Sequence, residues 1–321
     1  MKIVAIVPQW NRSDLLRSLL DNLAKQTRPF DEMIVVDNGS TDDSVAVARA
    51  AGAIAIELGR NFGFATAVNR GVQATDADWV AILNNDVLMD ADWLANIEPY
   101  TEDADFLSGK LLIARNPKRI DGTFDELAAS ACAYRCGAGQ PDGRGWDGIR
   151  RIRSAPMTAA LFRRNLFTEV GPLDETFESY LEDVDFGLRC ALAGKRGIYV
   201  PTARALHEGS ATTGAWHPNT VRLISRNQVL LSYKHFRGQA WWPRLVGQML
   251  WGLVALRHGC FLAWCLGKWQ GWRLGRAIPR LTHPQHALAD LLEQGERQIF
   301  ELQHHTGFDL YWRLYFWLRG R

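Results

Sequence analysis

Between Gly209 and Ala289 the sequence contains no aspartate and no glutamate. Ten cations (Arg222, Arg226, Lys234, Arg237, Arg244, Arg257, Lys268, Arg273, Arg276 and Arg280) therefore have no acidic neighbour within that stretch. Other absences narrow the chemistry. No Gly-x-Gly-x-x-Gly follows the first apolar run, which disfavours a dinucleotide-binding dehydrogenase, and no Walker A loop occurs. The five cysteines include no CxxC; Cys132 and Cys136 are one helical turn apart, but no second pair completes a zinc site. Their odd number and scatter suit free thiols in a reducing compartment. The apolar run from Ile3 to Val7 is too short for a signal peptide, so the expected setting is cytoplasmic. Net charge is only +2 over 321 residues, which does not describe a nucleic-acid-binding polyelectrolyte.

What is present is an alternation. Residues 2–8 are rich in Ile and Val and end at Pro8, as a buried parallel strand would. Ser13-Asp14 opens a helix whose apolar positions Leu15, Leu16, Leu19, Leu20 and Leu23 share one face. Met33–Val36 is a second strand, and Ser40 or Thr41 can cap the helix Ser44–Ala51. Ala53–Leu58, Ala65–Ala74 and Trp79–Leu83 continue as strand, helix and strand. This pattern predicts a doubly wound α/β sheet with helices on both faces. Ligands bind such sheets beyond the carboxyl ends of the strands. Polar residues gather there: Gln9-Trp10-Asn11, Asp37, Asn61 and Asn84-Asn85-Asp86. With no phosphate-binding glycine loop, a divalent metal on Asp86 is the expected counterion for a phosphate.

Beyond residue 105 the pattern is less regular. Asp105–Ala114 reads as a strand pair or an edge strand. The glycines from Gly137 to Gly148 read as a flexible loop near the site, either an ordinary surface loop or a lid. Three acids, Glu182, Asp183 and Asp185, then open an apolar helix that stops at Gly194. Carboxylates are stabilised at a helix start, and one held there can act as a general base. Arg196–Val200 is a last strand, with His207-Glu208-Gly209-Ser210 on the loop after it.

In order, the stretches Val7-Pro8-Gln9-Trp10-Asn11-Arg12, Val36–Asp42, Asn61-Phe62-Gly63-Phe64-Ala65, Asn69-Arg70-Gly71, Leu83–Val87, Tyr180–Asp185 and His207 resemble the GT-A fold glycosyltransferases of family 2, in the bacterial rhamnosyltransferase-like branch. The resemblance covers about residues 1–215. It implies a Rossmann-like, mostly parallel central sheet flanked by helices. It also implies a nucleotide-sugar pocket lined by Pro8, Trp10, Asn11, Asp37, Asn61, Gly63, Asn69, Asn84 and Asn85. Asp37 would accept the ring N–H of uracil or thymine, and Trp10 would stack on the base. Asp86, with His207 as second ligand, would hold Mg2+ or Mn2+. Asp183 would take the proton from the acceptor hydroxyl in a single inverting displacement, with Glu182 orienting the acceptor. Asp185, one turn before Arg189, has the structural task of an i,i+4 pair. The family's Asp-x-Asp is here Asn84-Asn85-Asp86, so one carboxylate remains.

Residues 216–321 are expected to be a helical extension for membrane association or oligomerisation. Its cations are interleaved with Trp241, Trp242, Trp251, Trp264, Trp269 and Trp272, a composition suited to an anionic membrane surface. Leu245–Leu266 approaches spanning length, but Gln248, Arg257 and His258 interrupt it, and a central Arg costs about 2.5–3.5 kcal/mol on insertion. Residues 308–319 repeat the aromatic-basic pattern. The expected protein is thus an inverting transferase, peripheral on the inner face of the cell membrane. It would move a sugar from dTDP-rhamnose or a UDP-sugar to a growing lipid-linked glycan, without nucleic acid and compatibly with a homo-oligomer. A nucleotidyltransferase, or a non-catalytic sugar-nucleotide-binding scaffold, is the alternative.

Overall fold

The structure, a computed structural model, describes residues 1–209 and 216–320. Ser210 and the boundary at 215 lie outside the described residues. The chain divides into two compact units, Met1–Phe124 with Gly137–Thr212 and Asp125–Cys136 with Thr213–Arg321. In order, the elements as far as the first unit's return strand are β1 (Ile3–Gln9), α1 (Ser13–Leu23), β2 (Glu32–Asp37), α2 (Ser44–Ala50), β3 (Ile54–Glu57), α3 (Phe64–Gln73), β4 (Trp79–Leu83), β5 (Val87–Met89), α4 (Trp93–Ile97), β6 (Phe106–Ile113) and β7 (Asn116–Gly122). Then come β8 (Asp125–Leu127), β9 (Ala133–Arg135), β10 (Arg150–Ile152), β11 (Ala159–Arg163), α5 (Leu166–Glu169), α6 (Glu182–Leu192) and β12 (Gly197–His207). The helices α7 (Pro218–His235), α8 (Trp242–Arg257), α9 (Phe261–Gly275), α10 (Gln285–Thr306) and α11 (Leu310–Leu318) follow.

The first unit is built on one sheet in the order β10-β12-β6-β11-β4-β1-β2-β3, with β5 paired to β12 and β7 to β6. β1 is parallel to both β2 and β4, so the chain leaves it in opposite directions at a topological switch point. β11 is antiparallel to β4 and to β6, and β12 is parallel to β6. Two reversals restore the direction. The carboxyl ends of β1, β2, β4 and β12 therefore share one edge of the sheet. Ile3, Ala5 and Val7 bury one face with Leu16, Leu19, Leu20 and Leu23 of α1. Each fully buried leucine contributes about 1.5–3 kcal/mol. On the opposite face α3 comes so close that a Cβ at Gly71 would strike Ile6 and, at 3.3 Å, Val36.

Several local expectations change. β6 is a central strand and no edge, because β12 returns beside it over seven register pairs. β12 runs through to His207, which ends a strand and does not lie on a loop. The expected caps Ser40 and Thr41 do not cap α2. Asp42 accepts the Ser44 N–H at 3.1 Å, while Ser40 Oγ accepts from Asn11 N at 2.8 Å. The glycine-rich segment is anchored, contrary to the expected flexible loop. Fully buried Lys110 donates to Asp142 at 2.7 Å and Asp147 at 2.6 Å, and Arg204 also donates to Asp142 at 2.8 Å. Trp146 is buried from the same segment, and its carbonyl accepts from the Tyr199 hydroxyl at 2.8 Å. The buried ammonium needs these carboxylates, and the pairs hold the segment down.

The second unit includes the β8–β9 hairpin, which the sequence expectation left inside residues 1–215. Long-range polar contacts with α10 account for its grouping: Ala129 N–H donates to Glu296 Oε1 at 3.1 Å, and Gln303 donates to the Tyr134 hydroxyl at 2.9 Å. Glu296 is fully buried and also accepts from Tyr315 at 2.5 Å and Arg319 at 3.0 Å of the last helix and its C-terminal end. On α9, Gly267, Gly271 and Gly275 recur every four residues against Arg222 and Ser225, Arg226 and Val229, and Tyr233 of α7. Any side chain there would push the two helices apart. Among the described residues no helix is long and apolar enough to cross a membrane, and the Leu245–Leu266 stretch is broken between α8 and α9.

Candidate functional site

β1 ends in Gln9, which is buried and acts as a hub. Its amide nitrogen donates to Ser44 Oγ at 2.8 Å and to Asn11 O at 2.5 Å, and its amide oxygen accepts from Asn85 at 2.8 Å. Asn11 and Arg12 both adopt left-handed backbone conformations, φ 53° and 59°. That strained turn is tied down because Asn11 Oδ1 accepts the Thr41 N–H at 2.9 Å. Trp10 beside it is 42% exposed, with its ring available as a stacking surface. Pro8 is half-buried within β1, in register with Val36.

Asp37 ends β2 and is only 3% exposed. Its Oδ2 accepts from Gly39 N and Ser40 N at 3.1 and 2.9 Å, whereas its Oδ1 is buried without a partner. Asn38 Oδ1 accepts from Phe62 N, and its amide donates to Gly63 O, both at 3.2 Å. Asn61 is exposed and its oxygen accepts the Gly63 N–H at 2.9 Å. Gly63 has φ +93°, and a Cβ there would lie 2.6 Å from the Glu178 carbonyl. Ala65 N donates to that carbonyl at 3.0 Å, and Phe64 N to Ser179 Oγ at 3.2 Å. These contacts bring the segment before α6 to the same sheet edge. Glu178, Tyr180 and Leu181 there all have positive φ. Backbone strain of this kind gathers where a site must be held in one geometry.

Asn69 is the exception among the expected residues. It is buried in α3, where its amide donates to Leu173 O at 2.9 Å and Glu175 at 3.0 Å and its oxygen accepts from Leu173 N. It props the turn before α6, and its polar atoms are spent on that turn.

α6 begins with the three acids, which separate by environment. Asp185 is fully buried and pairs with Arg189 at 3.0 Å, and Arg189 also donates to the carbonyls of Val170, Gly171 and Pro172. Glu182 is 5% exposed with Oε2 unpartnered; burial first, and the charge of Asp183 second, push its carboxyl well above the usual range. Asp183 is half-buried, and its Oδ1 accepts the Val184 N–H at 2.8 Å.

Asn84 and Asn85 follow β4, and Asp86 meets His207 because β12 pairs antiparallel with β5, opposing His207 to Val87. Glu208 N donates to Asp86 O at 3.0 Å. Asp86 Oδ1 and His207 Nε2 are buried and face each other at 3.3 Å, within ion-pair range, and neither meets another polar partner. The other ring nitrogen, Nδ1, lies 2.8 Å from Asp121 Oδ2. Burial works to lower the His207 pKa, but hydrogen bonds and charge from Asp121 and Asp86 outweigh it and raise it to about 9. Among the described residues no group of three or more His, Cys, Asp or Glu side chains is arranged to hold a metal. The two facing atoms, Asp86 Oδ1 and His207 Nε2, are the residues that would hold a divalent cation, which accepts such oxygen and imidazole donors. Asp121 carried no sequence signal, being far from every motif; Gln9 was visible only as one of a polar cluster.

Residues 4–119 match the sequence profile described as "Glycosyl transferase family 2", and residues 79–274 that of "Glycosyl transferase family group 2". The N-acetylglucosaminyl-diphospho-decaprenol L-rhamnosyltransferase of Mycobacterium tuberculosis is 30% identical over 276 residues, covering 75% of this chain and 87% of that protein. A PGL/p-HBAD biosynthesis glycosyltransferase of Mycobacterium bovis is 28% identical over 197 residues, covering 58% of this chain and 68% of that one. Among solved structures, the mannosyltransferase PcManGT from Pyrobaculum calidifontis in complex with GDP-Man and Mn2+ superposes with a TM-score of 0.54 at 19% identity, covering 98% of this chain and 85% of that one. GalNAc-T7 with UDP, GalNAc and Mn2+ gives a TM-score of 0.64 at 13% identity, covering 96% and 58%. These two likenesses concern the fold.

Proposed function

The chain belongs to glycosyl transferase family 2, is a glycosyltransferase of GT-A fold, and from that premise we propose its donor, acceptor and mechanism. The donor is a nucleoside-diphosphate sugar, dTDP-rhamnose or a UDP-sugar. The acceptor is a hydroxyl of a growing lipid-linked glycan. The relative acting on N-acetylglucosaminyl-diphospho-decaprenol supports both rhamnose and a lipid diphosphate anchor. One observation carries the reading most. Asp37 Oδ1 and Glu182 Oε2 are buried polar atoms without partners, and the buried Asp86 Oδ1 and His207 Nε2 face only each other, at 3.3 Å. Such atoms cost about 1–3 kcal/mol each unless a ligand satisfies them.

In this mechanism Asp37 accepts the ring N–H of uracil or thymine, and Trp10 stacks on the base. A divalent cation, Mg2+ or Mn2+, held by Asp86 and His207 would neutralise charge on the departing diphosphate. Asp183 takes the proton of the acceptor hydroxyl as its oxygen attacks the anomeric carbon from the face opposite the diphosphate. The glycosidic bond forms as the bond to the diphosphate breaks, so the configuration inverts. A carboxylate is a weak base for a sugar hydroxyl, so proton transfer comes late, when the oxygen has acquired positive character. Glu182, whose carboxyl is pushed well above the usual range by burial and then by the charge of Asp183, orients the acceptor.

Thermal unfolding over a panel of nucleotide sugars tests the donor. With Mn2+ present, dTDP-rhamnose or a UDP-sugar at about a hundred times its Kd is expected to stabilise the protein by about 2.7 kcal/mol. No shift with any nucleotide sugar would sink the reading.

The second unit supports attachment to an anionic membrane surface. Trp241, Leu262, Trp269, Leu310 and Trp317 are half or more exposed, on or beside α8, α9 and α11. Arg273 and Arg276 lie over the rings of Trp269 and Trp272 at 4.8 and 4.0 Å. Aromatic residues with cations above them suit an interface between headgroups and acyl chains, and no acid opposes them up to Ala289. Leu262→Gln, Trp269→Gln and Trp317→Gln combined are expected to weaken flotation with phosphatidylglycerol vesicles at least tenfold. Unchanged flotation would refute the attachment. Unchanged flotation with altered sedimentation would assign the face to a homo-oligomer.

A further inference from the structure

We infer that Asp121 is the positioning residue of the metal site, fixing which nitrogen of His207 faces Asp86. The inference rests on Asp86 and His207 being metal ligands. Its argument begins with the backbone. β7 folds back antiparallel on β6, but Leu111 is opposite Gly122 while the next residue, Leu112, is opposite Ile120. Asp121 is thus the extra residue of a β-bulge. Bulges re-aim a side chain that a regular ladder would point elsewhere. On the other edge of β6, Leu112 and Ile113 are in register with Leu206 and His207 of β12. Leu112 thus belongs both to the bulge on one edge of β6 and to the register that sets the height of the histidine on the other. The outcome is a 2.8 Å contact between Asp121 Oδ2 and His207 Nδ1.

A metal-ligating imidazole must present a lone pair. When Nδ1 donates its proton to a carboxylate, the tautomer is chosen and the lone pair is on Nε2. Here Nε2 is the buried atom that lies 3.3 Å from Asp86 Oδ1. Without Asp121 no carboxylate holds the ring proton on Nδ1, and a proton on Nε2 blocks the ligand. A carboxylate one ring away also raises the basicity of the ligating nitrogen. Asp121 is itself about a quarter exposed, so its substitution disturbs little packing.

The experiment is Mn2+ titration of the full chain followed by electron paramagnetic resonance, in the presence of UDP or dTDP. Asp121→Ala is expected to weaken Mn2+ binding by about 10–100-fold, the usual effect of losing such an outer partner. Electron spin echo modulation from a histidine nitrogen, expected in the parent, should fade in this variant. Asp121→Asn keeps an acceptor oxygen for Nδ1–H and is expected to retain most of the affinity. In turnover, Asp121→Ala should raise the Mn2+ concentration for half-activation and leave kcat at saturating metal within about threefold. Parent-like Mn2+ affinity in Asp121→Ala, with the parent binding Mn2+, would overturn this inference alone. An Asn variant as impaired as the Ala variant would overturn it in favour of direct ligation by Asp121. No Mn2+ binding by the parent would overturn the metal reading, and this inference with it.

Discussion

Asp183→Asn is expected to lower kcat by about 10³-fold while changing the KM for the nucleotide sugar by less than about threefold. The range for a general base is 10²–10⁴. Asparagine preserves size and shape and still offers Oδ1 to the Val184 N–H, which Asp183 accepts at 2.8 Å. What is lost is the capacity to take a proton. Glu182 is the neighbouring carboxylate and a possible substitute base, but burial raises its pKa even before the charge of Asp183 acts. A carboxyl shifted in that direction is disfavoured as a base, and rescue by Glu182 is not expected. Steady-state kinetics with a soluble acceptor analogue decides the matter. A kcat within tenfold of the parent would remove Asp183 as the base.

Asp185→Ala, two residues on, is expected to have the opposite character. It should destabilise the fold by about 3–5 kcal/mol, the cost of leaving a buried charge without its partner. Asp185 is fully buried, and Arg189 is 9% exposed at 3.0 Å from it. The Arg189 guanidinium also holds the carbonyls of Val170, Gly171 and Pro172, so its displacement would loosen the turn leading to α6. Urea unfolding of the full chain measures this, with the midpoint falling. The folded fraction of the variant should still bind nucleotide. A loss below about 1 kcal/mol would show that solvent or another group compensates Arg189. The two substitutions together separate chemistry from architecture within one helical turn.

Much of the catalytic unit was legible because its signals are local. Ile3–Val7, Met33–Val36 and Trp79–Leu83 are apolar runs buried on both faces of a parallel sheet, and such runs cannot be stable elsewhere. The leucines of α1 repeat at helical spacing and were read onto the correct face. Once the strands were aligned, the polar residues at their carboxyl ends had to meet. The motif position of Asn69 says nothing about which way α3 turns its amide, and the contact with Leu173 was not legible in it. The glycine-rich segment was misread because Lys110 and Arg204, which anchor it through Asp142, are distant in sequence.

By itself the sequence determined the order of strands and helices as far as Leu83, the acidic start of α6, and the acid-free basic and aromatic run beyond Gly209. Each depends on residues within a few turns of one another, and propensity and periodicity act at that range. Tertiary structure alone decided that β6 is central, that the hairpin Asp125–Cys136 joins the helical unit, and that Asp121 stands behind His207. The first and last depend on the register of β12 beside β6 and on one bulge in β7, the second on contacts of the hairpin with α10 far along the chain. A one-residue shift of register turns a side chain to the other face, and no local pattern records it.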